Sequence, residues 1–572
     1  MSTLKLEYPI LIASLLTLAA CAPAPLKAPV SGETHEEAKK PDLPKQELTA
    51  QTLYQYLVGE VALQRGQPQL AAEALLDLAK TTRDPRLAQR ATETAVQARQ
   101  VGPATEAAAL WQSLDPTSSQ AAQTAAALLL NSGRLNEVRP YLEKILAGKE
   151  GERASAFLHL NQMLSRQPDR GAVLDLVQEL AKPYPDSAEA RFAVAQATWN
   201  ASRRDEALAE LSQVERLRPG WELAALFRGQ VLQQIAPAQA LEFYHTFLRD
   251  YPKAKEVRLS YARLLVSEKQ YHQARAQFQR VMEDTPNNPE ISFAIGLLAS
   301  QENDLEAAKT YLQQALDSGY KDEGMVRFYL GQVAEQSKRL DEAAVWYDSV
   351  GQGEHYLDAQ IRYAGLLAKR GKLDEARLHL QQAQTQNNQQ RALLIQAEAQ
   401  LLREAKRYEE TFDLLGKGLE KLPNHPDLLY DHAMAAEKLD KLEVMEKDLR
   451  RLIQLKPDNA HAYNALGYTL AERGIRLEEA RELVEKALSL APDDPFIMDS
   501  LGWVYFRLGQ HDKAIESLSK ALELRPDPEI AAHLGEVLWT KGQRDDARKV
   551  WQSALKQAPD SEVLRDVMQK YK

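Results

Sequence analysis

From residue 49 onward, leucine, glycine, alanine and proline recur in a fixed register, with polar residues filling the intervals. Leu466-Gly467, Leu501-Gly502 and Leu534-Gly535 lie 35 and 33 residues apart. Ala480, Ala514 and Ala547 follow at steps of 34 and 33, and Ala487, Ala521 and Ala554 keep the same steps. Pro492, Pro526 and Pro559 close each block, again at 34 and 33. Upstream, Pro185, Pro219, Pro252 and Pro286 step by 34, 33 and 34. Ala207, Ala240, Ala274, Ala308, Ala343 and Ala376 step by 33, 34, 34, 35 and 33. Each block predicts two helices and a stop, because a proline cannot continue a helix. Gly467, Gly502 and Gly535 fall in mid-helix, where glycine costs about 1 kcal/mol against alanine. That cost is tolerable where two helices must approach closely. Ala514 and Ala547 supply the matching small face, and Leu518 and Trp551 fill the gap to the next block.

A period near 34 with Leu-Gly, Ala, a bulky apolar residue, Ala and Pro is similar to the tetratricopeptide repeat. The first block holds Leu57, Gly59, Ala62, Ala71 and Leu75. Ala195, Ala262, Ala399 and Ala433 replace the glycine and keep the position small. Blocks between about residues 85 and 180 are degenerate. A single block cannot bury its apolar faces, so neighbours must stack. The expectation is an all-α fold: an α-solenoid of about fifteen stacked helix pairs over residues 49–572, wound into a superhelical spiral.

Residues 1–20 carry a short apolar run, Ile10 to Ala20, that ends Leu18-Ala19-Ala20-Cys21. The run is too short for a bilayer core, which takes about 20 residues. It reads as a secretory signal with small residues at the cut site. The segment resembles a bacterial lipoprotein signal, which implies that the Cys21 thiol is lipidated and becomes the new N-terminus. Residues 21–48, with Pro23, Pro25, Pro29, Pro41 and Pro44 and a charged cluster, hold too little apolar surface to fold. They are expected to form a tether of up to ~80 Å at ~3.1 Å per residue.

The remaining composition narrows the function. The formal net charge is −10, which opposes a nucleic-acid footprint. Cys21 is the sole cysteine, so no intramolecular disulfide and no cysteine zinc site exist. There is no His-Glu-x-x-His, Gly-x-Ser-x-Gly or phosphate loop. Gly351-Gln352-Gly353 lacks a third glycine and reads as a turn between repeats. His425, His432, His461, His511 and His533 stand singly and read as surface or boundary residues. Glu478-Glu479 and Asp545-Asp546 read as solvated turns between helices. No catalytic residue, metal ligand or cofactor is nominated, and the chain reads as a non-enzymatic protein.

What remains is recognition. In tetratricopeptide units the inner helix lines a groove with positions interleaved with the Leu-Gly pair. The resemblance places Asn464 and Tyr468, then Asp499, Trp503 and Arg507, then His533, Glu536 and Trp539 at those positions. Trp199 falls at the same relative position as Trp539. Tryptophan and arginine are frequent interface hot spots. The alternative is that the tryptophans pack between adjacent inner helices and the polar residues are simply solvated.

The stretches Tyr463 to Tyr468, Asp499 to Trp503 and Ala531 to Trp539, with the Cys21 signal and the repeat count, resemble a family of outer-membrane tetratricopeptide lipoproteins of proteobacteria. Within it the chain is most similar to adaptors of a periplasmic carboxyl-terminal processing protease. Ala22, which is not aspartate, implies export to the outer membrane. The resemblance implies a lipid-anchored adaptor facing the periplasm, bringing such a protease together with peptidoglycan hydrolase substrates and touching the membrane by its anchor alone. The alternative is a scaffold or pilotin of an envelope assembly, such as a pilus secretin or polysaccharide export.

Overall fold

The computed structural model describes Pro44 and residues 47–571. The signal segment 1–20, Cys21 and nearly all of the tether lie outside the described residues. Among the described residues there are 31 helices and no strand. They run as fifteen consecutive pairs followed by the single helix Glu562–Lys570. The chain is an α-solenoid of tetratricopeptide-like pairs. It divides into two compact units, one ending at Asp304 and the other beginning at Leu305.

One pair of the second unit illustrates why these residues fold this way. Asp494 caps the helix Pro495–Arg507 by accepting from the backbone N–H of Phe496 at 2.8 Å and of Ile497 at 3.2 Å. Pro495 starts that helix, where its missing N–H costs nothing. Gly509, at φ 75°, ends it in the left-handed conformation that glycine adopts freely. The second helix, His511–Leu524, returns along the first, and Pro526 follows two residues beyond its end.

The Leu-Gly register is a packing device. A Cβ on Gly502 would lie 2.5 Å from Leu518 Cγ. In the next pair a Cβ on Gly535 would fall onto the indole of Trp551. Ala480, Ala514 and Ala547 are fully buried, as are Leu518 and Trp551. Ala195, Ala262, Ala399 and Ala433, which replace the glycine elsewhere, are also fully buried. Full burial of one such leucine stabilises the fold by roughly 1.5–3 kcal/mol.

The stretch 85–180 keeps paired helices despite its weak sequence register. It holds Pro85–Gln97, Val101–Leu114, Ser119–Asn131, Leu135–Leu146, Glu150–Leu164 and Arg170–Ala181. Polar side chains there reach backbone carbonyls on other helices. Gln167 Nε2 donates to Leu130 O at 2.7 Å, and Asn161 Nδ2 donates to Ala193 O at 2.8 Å. These bonds and the buried Phe157, Leu160 and Leu174 take over the role of the Leu-Gly contact.

In the first block Leu57 is exposed and Gly59 packs on Leu75. Two sequence expectations are corrected. Glu478-Glu479 and Asp545-Asp546 are not in turns but in the first turns of Leu477–Leu490 and Arg544–Gln557. There they oppose the positive end of the helix dipole. His432 is not a surface residue: it is buried, donates from Nδ1 to Asp448 Oδ2 at 2.6 Å, and stacks on Phe412 at 4.3 Å. Gly351 to Gly353 lie in the turn between Leu340–Asp348 and Tyr356–Lys369.

Candidate recognition surface

From Ala460 to Lys570 the first helices of successive pairs touch one another. Ala460–Glu472 packs on Pro495–Arg507, that helix on Pro528–Thr540, and that on Glu562–Lys570. The second helices of these pairs make no comparable contact with each other. The row of first helices is therefore the tighter, inner side of this stack.

Five of the nine candidate residues meet on this row. The Nδ1–H of His533 donates to Asp499, at 2.9 Å to Oδ1 and 3.0 Å to Oδ2. The His533 ring stacks on Trp503 with centroids 4.4 Å apart. Trp503 Nε1 donates to Glu472 Oε2 at 2.6 Å. Arg507 Nη1 donates to the carbonyl of Glu472 at 2.6 Å. The Tyr468 ring lies 6.4 Å from that of His533. Asn464 is one turn before Tyr468 on the same helix, and its Oδ1 is buried without a hydrogen bond from any described residue.

Trp503 is only 7% exposed, so it bridges adjacent inner helices rather than standing free. Asp499 is equally buried. The surface that a partner can reach comprises the parts of Tyr468, Arg507 and His533 left open, and the exposed carboxylate of Glu472.

Glu536 and Trp539 form a second group one pair on. Glu536 Oε1 accepts from Tyr571 OH at 2.6 Å and from Lys570 Nζ at 2.8 Å. Trp539 stacks on Trp551 at 5.9 Å and lies 5.7 Å from Tyr571. The guanidinium groups of Arg544 and Arg548 cover its ring at 5.2 and 5.1 Å. Trp199 belongs to the first unit, half-buried against the core of Phe192, Leu211 and Val231.

Charge and burial shape the inner row. Burial pushes the Tyr468 phenol above its ordinary pKa, and the carboxylates of Glu472, Asp499, Glu529 and Glu437 add to that. For His533 burial pushes the imidazole down. The charge of Asp499 and its hydrogen bond, with Glu472 and Glu529, outweigh that and raise it overall.

Sequence reasoning missed Glu472, Tyr571 and Lys570. Glu472 follows Tyr468 by one turn, so the stripe Asn464, Tyr468, Glu472 was open to discovery. Lys570 ends the single helix Glu562–Lys570 and Tyr571 follows it, with no repeat markers to flag either. Among the described residues no group of three His, Cys, Asp or Glu side chains is placed to hold a metal ion. No described helix is long and apolar enough to cross a membrane.

Comparison with known proteins agrees with the geometry. Tetratricopeptide-repeat family models match residues 458–527, residues 293–355 and 500–562, and residues 232–300. A TPR repeat-containing protein of Pseudomonas aeruginosa is 35% identical over 480 residues, covering 84% of this chain and 81% of its own. Cellulose synthase operon protein C of Pseudomonas fluorescens is 24% identical over 483 residues, covering 72% of this chain and 36% of its own. Among solved structures, a tetratricopeptide repeat protein of Parabacteroides merdae aligns with 16% identity and a TM-score of 0.33, covering 49% of this chain and 97% of that one.

Proposed function

Because the chain belongs to the tetratricopeptide-repeat proteins, which bind other proteins, we propose that it is a non-enzymatic adaptor of the bacterial envelope. In this reading Cys21 is lipidated and anchors the chain to the periplasmic face of the outer membrane. The solenoid recruits a carboxyl-terminal processing protease to peptidoglycan hydrolases. Holding both on one tethered body raises their effective concentration for each other. The observation that carries the reading is the inner row around Tyr468, Glu472 and Arg507: a prearranged surface of aromatic and charged groups, held in place by the buried Trp503. The Cys21 signal and the resemblance described for the C-terminal repeats support the location and the class of partner.

A second reading is a scaffold of an envelope assembly, such as a pilus secretin or polysaccharide export. The similarity to cellulose synthase operon protein C favours it. Affinity capture separates the two. The full-length chain with a C-terminal tag is the bait in a detergent-solubilised envelope extract, with Cys21→Ala as control and mass spectrometry as the readout. Recovery of a carboxyl-terminal processing protease with peptidoglycan hydrolases is the adaptor result. Recovery of secretin, pilus or polysaccharide-export components instead overturns it in favour of the scaffold.

A further inference from the structure

The two sides of the last four helix pairs differ in charge. The first helices Pro426–Lys438, Ala460–Glu472, Pro495–Arg507 and Pro528–Thr540 carry seven carboxylates against two lysines and arginines. The second helices Leu442–Leu455, Leu477–Leu490, His511–Leu524 and Arg544–Gln557 carry twelve against eleven. Within these four pairs the imbalance is therefore confined to the first helices.

Exposed carboxylates without a lysine or arginine partner among the described residues occur on both sets of helices, Glu443, Glu482, Glu516 and Glu523 on the second ones. On the second helices Glu446, Glu478, Glu479 and Glu485 pair with Arg450, Arg476 and Arg481 of the same or adjacent helix margins. On the first helices Asp431, Glu437 and Glu536 take an arginine or lysine, and Asp499 takes His533. Asp427, Glu472 and Glu529 are exposed, and no lysine or arginine of the described residues pairs with them. The indole N–H of Trp503 fixes one oxygen of Glu472 and leaves the group facing solvent. Asp427 lines a cleft of about 430 Å³ with Tyr430, Asp431 and His461. Half-buried aromatic rings, Tyr430 and Tyr468, lie among these carboxylates.

We propose that the first helices from Pro426 to Thr540, continuous through the cleft between Tyr430 and His461, dock a lysine- and arginine-rich segment of a protein partner. Unpaired carboxylates form charge-assisted hydrogen bonds with ammonium and guanidinium groups. Tyrosine faces add cation–π attraction. The negative field steers a basic segment in and disfavours an acidic one. This deepens the adaptor reading but rests only on its coarser part, that the row binds protein.

The test uses the full chain without its signal and three fluorescein-labelled 15-residue peptides: one alternating Lys/Arg with Ala, one alternating Glu with Ala, and one uncharged. Fluorescence anisotropy at two salt concentrations gives the affinities. The basic peptide is expected to bind at least tenfold more tightly than the others. The triple variant Asp427→Asn, Glu472→Gln, Glu529→Gln is expected to lose at least tenfold. A control triple on exposed second-helix positions, Glu443→Gln, Glu482→Gln, Glu516→Gln, changes net charge equally and is expected to lose less than twofold. The single variants Glu472→Gln and Glu529→Gln are each expected to lose two- to fivefold with their helical circular dichroism unchanged. Equal losses in the two triples, or equal binding of the acidic peptide, overturn the proposal. So does sedimentation showing that a second copy of the chain occupies the row. No protease enters the readout, so its failure is distinct from failure of the adaptor reading.

Discussion

His533 donates its Nδ1–H to Asp499 at 2.9 Å across two first helices, the residues standing 34 positions apart, one repeat. The pair ties one helix pair to the next through a charge, and the sign of its pH dependence follows. Its raised imidazole pKa lies above the unfolded value of about 6.5. Its contribution is therefore complete below pH 6.5 and fades as pH rises through the raised value. Asp499→Asn is expected to lower the thermal midpoint more at pH 6 than at pH 9. A cost that is the same at both pH values contradicts the assignment.

Trp551, 1% exposed, fills the space that Gly535 leaves open. Trp551→Ala is expected to cost about 3–5 kcal/mol by leaving a cavity. Gly535→Leu overfills the same site and is expected to cost about 1–3 kcal/mol. Hydrogen exchange should show the loss of protection concentrated in residues 528–570, the last helices of the array.

Glu446 reaches the start of the next second helix through Arg476, which donates from Nη1 at 2.9 Å and from Nη2 at 2.5 Å, while Arg450 Nε of its own helix donates at 2.7 Å. The Arg476 hydrogen bonds pull its carboxyl down to about 2, against the opposing push of burial and with help from Arg450. A depressed carboxyl contributes stability above its unfolded pKa of about 4.3 and loses it as pH falls toward 2. Glu446→Gln is expected to cost about 1–2 kcal/mol at pH 7. In urea titrations that cost should vanish near pH 2; persistence there would mean that Glu446 acts through packing alone.

The legible part of this structure was the part that repeats. Leu-Gly, alanine and proline at steps of 33–35 gave the helix pairs, and the buried Ala514, Leu518 and Trp551 confirm the faces. Residues 85–180 were obscure because polar groups such as Gln167 and Asn161, bonded to backbone carbonyls, replace the small-residue contact. The candidate surface was half legible. The resemblance to tetratricopeptide units placed Tyr468, Trp503 and His533 on one side. It could not reveal that Trp503 is buried between helices, nor that Glu472 orients on its indole, because those depend on how adjacent pairs stack.

On the proposed anchor, Cys21→Ala is expected to move the chain from the outer-membrane fraction to the soluble periplasmic fraction while leaving its helical circular dichroism unchanged. Retention of the variant in the membrane fraction would place the attachment elsewhere.

The adaptor role is tested most directly by turnover of a purified peptidoglycan hydrolase by a purified carboxyl-terminal processing protease, with and without this chain. The account predicts no cleavage by the chain alone and a severalfold faster turnover when chain and protease are combined. Turnover unchanged by the chain, at concentrations where all three proteins are folded, contradicts it.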